Sequence, residues 1–174
     1  MIELQYFTPD DFEQLIRWID SKEFMMQWAG PSLHFPLDEH QLTEYISGAN
    51  HDQAEKFIYK VVHTETGTMI GHISLASIDR DNRTARIGRV LVAEQNCRGQ
   101  GICQQMIKRV VRIAFDDLEM HRVSLGVFDF NASAISCYEK AGFKKEGLLR
   151  DYRKVGDEYW SLWEMSILEH EWAG

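Results

Sequence analysis

A glycine-containing turn between an apolar run and a long amphipathic segment most constrains how this chain can fold. Val90-Leu91-Val92 precedes the turn, which reads Arg98-Gly99-Gln100-Gly101-Ile102-Cys103, and apolar residues then recur at helical spacing over about four turns. This order predicts a strand, a tight turn and the N-terminus of a helix. Glycine lets the backbone approach a ligand closely, and the first helical turn presents N–H groups at the positive end of the helix dipole. The turn therefore suits a phosphate group, with Arg98 adding positive charge, although an ordinary strand-to-helix turn also fits these residues.

The rest of the chain predicts a mixed sheet with one parallel strand pair. The strand, glycine turn, helix and following strand form a right-handed crossover, whereas the other strands follow one another through short polar turns. The first helix begins at Thr8-Pro9, the second at 36–39, and 24–28 is expected to be a short irregular segment closed by Gly30-Pro31. Gly88 inside the fourth strand indicates either a bulge or a close approach of another backbone. The predicted strands are 2–6, 57–62, 69–75, 85–92, 122–127, 143–152 and 159–168.

Length, charge and cysteine content limit the possible functions. A chain of 174 residues predicts a single domain, 1–174, and its net charge of −8 disfavours a nucleic-acid partner. No apolar run approaches the ~20 residues of a membrane helix, and the N-terminus does not resemble a signal peptide, so a cytoplasmic protein without membrane contact is expected. Cys97, Cys103 and Cys137 lack metal-type spacing, which predicts reduced, packed thiols and no metal site.

Two segments resemble motifs of the GNAT superfamily of N-acetyltransferases. The turn from Arg98 to Cys103 resembles the acyl-CoA pyrophosphate loop of that family, and the segment from Asn131 to Phe143 resembles its distal signature. The ending Glu146-Gly147-Leu148-Leu149-Arg150 is most similar to the branch of ribosomal-protein N-terminal acetyltransferases and their small-amine relatives. The resemblance implies an α/β (α+β) GNAT fold: a mixed, mostly antiparallel seven-stranded sheet with helices on both faces and a splayed parallel strand pair.

The same resemblance implies direct acetyl transfer from acetyl-CoA to a primary amine, either a protein N-terminus or a small molecule, in a ternary complex. Main-chain groups near Leu91 and Val92 would hold the pantetheine arm and polarise the thioester carbonyl. Asn131 would contact the same arm besides starting a helix. Tyr138 occupies the family's position for the acid that protonates the departing thiolate; without the motif, an aromatic packed on a short helix is the simpler interpretation. The N–H groups that would bind the pyrophosphate belong to Gly99, Gln100, Gly101, Ile102 and Cys103.

The sequence does not identify the general base. An aliphatic amine, with a pKa near ~10, must lose a proton before it attacks. Relatives often carry Glu just before the Ile-Gly of the fourth strand, but this chain has Arg86 there. His72, Asp129 and Glu94 are candidates by residue type alone, a water chain is an equal alternative, and packing is the simpler interpretation of His72.

The acceptor is expected between the first two helices and the last hairpin, in a monomer or a homodimer. Phe24, Trp28, Tyr152 and Trp160 are the predicted lining residues, with burial in the core as the alternative for the first two. A non-catalytic acyl-CoA sensor or partner module is the alternative function, since fold does not fix function. A ping-pong route through an acyl-cysteine at Cys103 or Cys137 is a further hypothesis. A P-loop hydrolase is excluded because the required Gly-Lys-Ser/Thr run is absent.

Overall fold

Seven strands form one mixed sheet in the computed structural model, which describes residues 1–93 and 99–174. The order across the sheet is β1-β2-β3-β4-β5-β7-β6, and every neighbouring pair is antiparallel except β4 and β5. This arrangement confirms the predicted fold class and the parallel pair. The strands are β1 (Ile2–Tyr6), β2 (Phe57–His63), β3 (Met69–Asp79), β4 (Thr84–Val92), β5 (Arg122–Phe128), β6 (Lys144–Val155) and β7 (Glu158–Leu168).

Helices cover both faces of the sheet. Ile58 and Tyr59 are neighbours in β2 and therefore point to opposite faces. Ile58 packs with the helices that precede β2, whereas Tyr59 packs in a second core cluster with the helix after the glycine turn. No helix within the described residues is long and apolar enough to cross a membrane. The helices are α1 (Phe12–Trp18), α2 (Lys22–Ala29), α3 (Glu39–Ile46), α4 (Ile102–Arg112) and α5 (Ala132–Lys140).

The prediction of an irregular segment at 24–28 is wrong, because these residues lie within α2. The side chain of Ser21 caps this helix by accepting a hydrogen bond of 3.0 Å from the backbone N–H of Phe24. Met25 and Trp28, one turn apart, are both buried against the core. Two turns of helix are therefore stabilised by a cap and by tertiary burial, neither of which needs a long apolar stripe.

The parallel pair separates soon after it begins. β4 and β5 pair only through Thr84–Arg86 and Arg122–Ser124. Further along β4, Ser74 of β3 pairs with Gly88 while His72 pairs with Leu91, so β4 contains one extra residue and bends. The bulge predicted near Gly88 is present, with Arg89 at a left-handed φ of 49°. Beyond Arg86 and Ser124, β4 and β5 diverge and open a wedge between them.

Candidate functional site

The wedge between β4 and β5 forms a cavity at the centre of the sheet. One wall is the β4 backbone from residue 87 to 91, and the other is β5 from residue 125 to 128. Phe24 and Trp28 of α2 contribute from one side, and Asn131 and Tyr138 from the α5 region. The structure thus brings together five predicted site residues that lie far apart in the sequence: Phe24, Trp28, Leu91, Asn131 and Tyr138.

A larger cavity of about 630 Å³ continues from the wedge to the glycine turn. It shares Leu91, Asn131 and Tyr138 with the wedge and also reaches Val92. At its far end lie Gly99, Gly101 and the first residues of α4, namely Ile102, Cys103 and Gln104. Of the predicted pyrophosphate contacts, Gln100 belongs to the same turn but does not line the cavity, and Arg98 lies outside the described residues.

The glycine turn has the backbone geometry of an anion cradle. Gly99 and Gly101 have φ angles of 81° and 75°, values that residues with a Cβ rarely adopt. A Cβ placed on either residue would meet no atom within 4 Å, so the turn faces open space. Gly101 is the N-cap of α4, and the first turn of this helix presents backbone N–H groups to the cavity. These features fit a bound pyrophosphate group.

Tyr138 lies where the two cavities meet. It projects from α5, is 5% exposed and packs beside Phe143 with ring centres 6.3 Å apart. Burial raises the pKa of its hydroxyl well above the usual range, so the hydroxyl stays protonated at neutral pH. A protonated hydroxyl at the junction of the cavities can donate to a developing negative charge.

Asn131 combines two roles in the geometry. Its side-chain oxygen accepts a hydrogen bond of 3.3 Å from the backbone N–H of Ala134 and caps α5. The same residue lines both cavities. The capping role is therefore present, and it leaves Asn131 positioned beside any ligand that spans the two cavities.

Cys103 and Cys137 form a disulfide that connects α4 to α5, with their Cα atoms 6.4 Å apart. The expectation of reduced thiols is wrong for this pair. The two residues are 34 positions apart, and the structure brings their helices together along the larger cavity, a proximity that cysteine spacing cannot reveal. Neither sulfur is a free nucleophile in this state, which counts against the acyl-cysteine route. Cys97 lies outside the described residues.

Arg86, in the position where relatives often carry Glu, is paired with a carboxylate of another strand. Its guanidinium donates to both carboxylate oxygens of Glu164 on β7, one at 3.1 Å, and to Ser124 Oγ at 3.2 Å. These contacts lie where β4 and β5 separate. The sequence did not single out Glu164, because the register that places it beside Arg86 is set by tertiary structure.

His72 is enclosed in the core. It is fully buried and lies against the rings of Phe7, Trp28 and Tyr45. Its Nδ1 lies 3.1 Å from the carbonyl oxygen of Arg89, which can only accept, so Nδ1 carries the proton and Nε2 faces the Tyr45 hydroxyl at 3.4 Å. Burial lowers the pKa of His72 to about 4. These contacts support packing rather than proton transfer.

Asp129, another base candidate, does not enter the wedge lining. Asp129 is exposed just after β5, and its backbone N–H donates to the carbonyl of Ser161 at 3.0 Å. Glu94 lies outside the described residues. The general base is therefore not identified among the side chains predicted for that role.

The predicted acceptor residues separate into two groups. Phe24 and Trp28 line the wedge, and Trp28 is also held by a hydrogen bond of 3.0 Å from its Nε1 to the carbonyl of Arg89. Trp160 lies on β7 against Phe128, with ring centres 5.1 Å apart, one residue layer away from the cavity wall. Tyr152 is exposed on β6, with Arg153 over its ring.

Comparison with known proteins agrees with this geometry. The acetyltransferase (GNAT) domain family matches residues 2–144. The SPbeta prophage-derived uncharacterized N-acetyltransferase YokL of Bacillus subtilis (strain 168) is 34% identical over 120 residues, which are 68% of this chain and 64% of that protein. The putative ribosomal N-acetyltransferase YdaF of the same strain is 33% identical over 108 residues, or 62% of this chain and 58% of that protein. The chain therefore spans about three fifths of the length of these two relatives.

A solved structure shows the same fold over almost the whole chain. The crystal structure of spermidine N-acetyltransferase from Vibrio cholerae in complex with CoA and spermine has a TM-score of 0.84, covering 99% of this chain and 98% of that chain, with 22% identity. The splayed strand pair, the glycine turn and the family match over residues 2–144 lead to one conclusion. This chain belongs to the GNAT acetyltransferase family.

Proposed function

We propose that this protein is an acetyl-CoA-dependent N-acetyltransferase that transfers acetyl directly to a primary amine, a protein N-terminus or a small molecule, in a ternary complex. The observation that carries the proposal is the continuous path from the glycine turn to the wedge, with Leu91, Asn131 and Tyr138 on both parts of it. A ligand with an anionic head and a long thin arm fits such a path, because the helix N-terminus takes the head and the wedge takes the arm.

In this proposal acetyl-CoA binds with its pyrophosphate at Gly99 to Cys103 and its pantetheine arm along β4. The arm would pair with main-chain groups near Leu91 and Val92, on the edge of β4 that faces away from β3. Family membership supports acetyl-CoA as the co-substrate. The acceptor amine would approach the thioester from the opposite side of the wedge, past Phe24 and Trp28.

The reaction requires one bond to form and one to break at the thioester carbonyl. The neutral amine nitrogen attacks the carbonyl carbon, a C–N bond forms, and the C–S bond then breaks to release the CoA thiolate. Tyr138 supplies the proton that converts this thiolate to a thiol, because its hydroxyl is protonated and lines both cavities. The attacking nitrogen loses one proton, which returns to the Tyr138 oxygen through water in the wedge, so the hydroxyl is restored and the proton count is balanced.

Replacing Tyr138 by Phe tests this assignment. Removing the hydroxyl should lower kcat by about 100-fold or more, the usual scale for loss of a general acid, and leave the Kd for CoA within about threefold. Thiol release from acetyl-CoA, measured against a panel of amines and N-terminal peptides, gives the rate, and calorimetry gives the Kd. Tyr159→Phe is the matched control, because Tyr159 is an exposed tyrosine of β7 at 57% exposure.

The alternative is an acyl-CoA sensor or partner module with the same fold. Such a protein would bind acetyl-CoA, release no thiol with any amine, and be indifferent to the Tyr138→Phe change. Unchanged kcat in an active Tyr138→Phe variant would instead remove Tyr138 from the mechanism while retaining the transferase.

A further inference from the structure

A third cavity, of about 400 Å³, adjoins the wedge on the side of α3. Arg89 lies in the walls of both, so the cavity begins where the acceptor would reach the thioester. Leu91, which also lines the wedge, follows Arg89 by two residues in β4. A small acceptor could therefore contact Arg89 and reach the thioester beside Leu91 at the same time.

The side chain of Arg89 is held rigidly but is not neutralised. Its Nη2 donates to Ser32 Oγ at 2.8 Å, and its guanidinium carbon lies 4.5 Å from the centre of the Tyr45 ring. The backbone of Arg89 is fixed by Trp28 and His72, which both contact its carbonyl oxygen. Its Nε is buried and has no hydrogen-bond partner among the described residues. A buried donor without a partner is costly unless a ligand supplies an acceptor.

Lys56 adds a second positive charge to the same wall. Within residues 1–93 and 99–174, neither Lys56 nor Arg89 forms an ion pair with a carboxylate. Burial, and then repulsion from Arg89, lowers the pKa of Lys56, so the two cations are close enough to interact. The acidic residue of this cavity, Glu44, is exposed and lies 3.5 Å from His40 Nε2 on the outer side of α3.

Two hydroxyl groups also line this cavity, and both already have partners inside the protein. The Tyr45 hydroxyl and Ser74 Oγ lie in the same lining, and both residues are buried. Burial raises the pKa of Tyr45 to about 12, so its hydroxyl stays protonated and faces His72 Nε2 at 3.4 Å. Ser74 Oγ donates to the carbonyl oxygen of Gly88 at 3.1 Å, so Arg89 and Lys56 are the groups left to hold an anion. Two cations in a chain with a net charge of −8 thus face one partly enclosed space. A polycationic acceptor would be repelled there, whereas a carboxylate or phosphonate would be attracted.

We propose that this cavity binds an anionic group of the acceptor, and that the acetylated amine belongs to the class of small amines that carry a carboxylate or a phosphate-type group. This inference rests on the proposed acetyltransferase function and specifies its substrate. Arg89 and Lys56 hold the anionic group, which directs the amine toward the thioester beside Leu91.

Matched acceptors test the charge requirement. β-Alanine, aminoethylphosphonate and γ-aminobutyrate are compared with β-alaninamide and spermidine by thiol release from acetyl-CoA. At least one anionic amine should have a kcat/KM about 10-fold or more above the uncharged amide, the scale of a hydrogen-bonded charge pair. Equal or greater activity with the amide or with spermidine would overturn the inference while leaving the transferase function intact.

Lys56→Met tests the residue assignment without disturbing the bulge of β4. It should raise KM about 10-fold for the anionic acceptor and change the amide's KM by less than about twofold, and Lys56→Arg should restore the lower KM. Lys108→Met, on the exposed face of α4, is the control that should change neither value. An equal effect of Lys56→Met on both acceptors would contradict a charge-specific role.

Failure of the transferase function can be distinguished from failure of this inference. If no amine is acetylated, the proposed function fails, and the cavity is tested alone by titrating β-alanine and aminoethylphosphonate into wild type and Lys56→Met by calorimetry. Binding to the wild type that Lys56→Met weakens supports the anion site. No binding, or equal binding to both proteins, overturns it.

Discussion

Tyr138 and His72 are both buried titratable side chains, but their surroundings suit them to different tasks. Tyr138 lies in the walls of two cavities, where its protonated hydroxyl can meet a ligand. His72 is surrounded by aromatic rings, and both ring nitrogens face protein partners. Burial raises the pKa of Tyr138 and lowers the pKa of His72 to about 4, since both shifts favour the neutral form. At the residue scale, exposure to a cavity distinguishes the catalytic candidate from the structural residue.

His72 should make the stability of the protein depend on pH in a defined range. The unfolded chain binds a proton at this residue below its ordinary pKa of 6.5, whereas the folded protein binds it only near a pKa of about 4. The contribution of neutral His72 is therefore complete above pH 6.5 and decreases as the pH falls toward 4, with a total on the order of 3 kcal/mol. Urea unfolding measured across this range gives the slope.

His72→Asn is the matching variant, because Asn can still donate a hydrogen bond toward the carbonyl of Arg89 but does not titrate. Between pH 4 and pH 6.5, the free energy of unfolding of this variant should depend less steeply on pH than that of the wild type. Replacement of the exposed His51 by Gln should leave the slope unchanged. A wild-type slope that persists in His72→Asn would show that other groups cause it.

At the scale of elements, the disulfide between Cys103 and Cys137 ties the first turn of α4 to α5. One helix carries the predicted pyrophosphate contacts and the other carries Tyr138. A crosslink over 34 positions restricts the unfolded chain, and in the chain-entropy treatment this stabilises the fold by about 3 to 4 kcal/mol. The bridge therefore connects the two helices that line the proposed acetyl-CoA path.

Reduction of this bridge should lower the free energy of unfolding of the wild type by about 3 kcal/mol. Denaturant curves with and without dithiothreitol measure the effect, and the Cys103→Ser/Cys137→Ser double variant provides the control. The double variant should resemble the reduced wild type and should not respond to dithiothreitol. Identical curves for the oxidised and reduced wild type would contradict a stabilising bridge.

Most elements could be predicted from local patterns, and the exceptions have physical causes. The apolar stripe of α4 and the capping residue Asn131 identify their helices directly, and the prediction of a bulge near Gly88 is confirmed. The α2 helix was missed because its stability depends on one capping bond and on tertiary burial. Local periodicity carries no information about either contact.

At the scale of the whole molecule, charge is distributed unevenly in a way that the net value hides. The net charge of the chain is −8, yet the cavity beside the wedge contains two cations without carboxylate partners among the described residues. Lys56 immediately precedes β2 and Arg89 lies in β4, so their proximity depends on the tertiary structure. In the sequence, the only hint of this cavity is the charge of Arg89 next to Gly88 in an apolar strand. Nothing in the sequence around Lys56 indicates a role in it. Sequence motifs predicted a path for acetyl-CoA, whereas the proposed anion site could be found only from the tertiary structure.

Calorimetric titration with acetyl-CoA and with S-acetylpantetheine tests the central claim most directly. Acetyl-CoA should bind, and S-acetylpantetheine, which lacks the pyrophosphate together with the 3′-phosphoadenosine, should bind about 10-fold or more weakly because it has no anionic group for the turn from Gly99 to Cys103. Bound acetyl-CoA at about 100 times its Kd should also stabilise the fold by about 2.7 kcal/mol. If acetyl-CoA neither binds nor raises the Tm, or if the two ligands bind equally, the account of this cleft is contradicted.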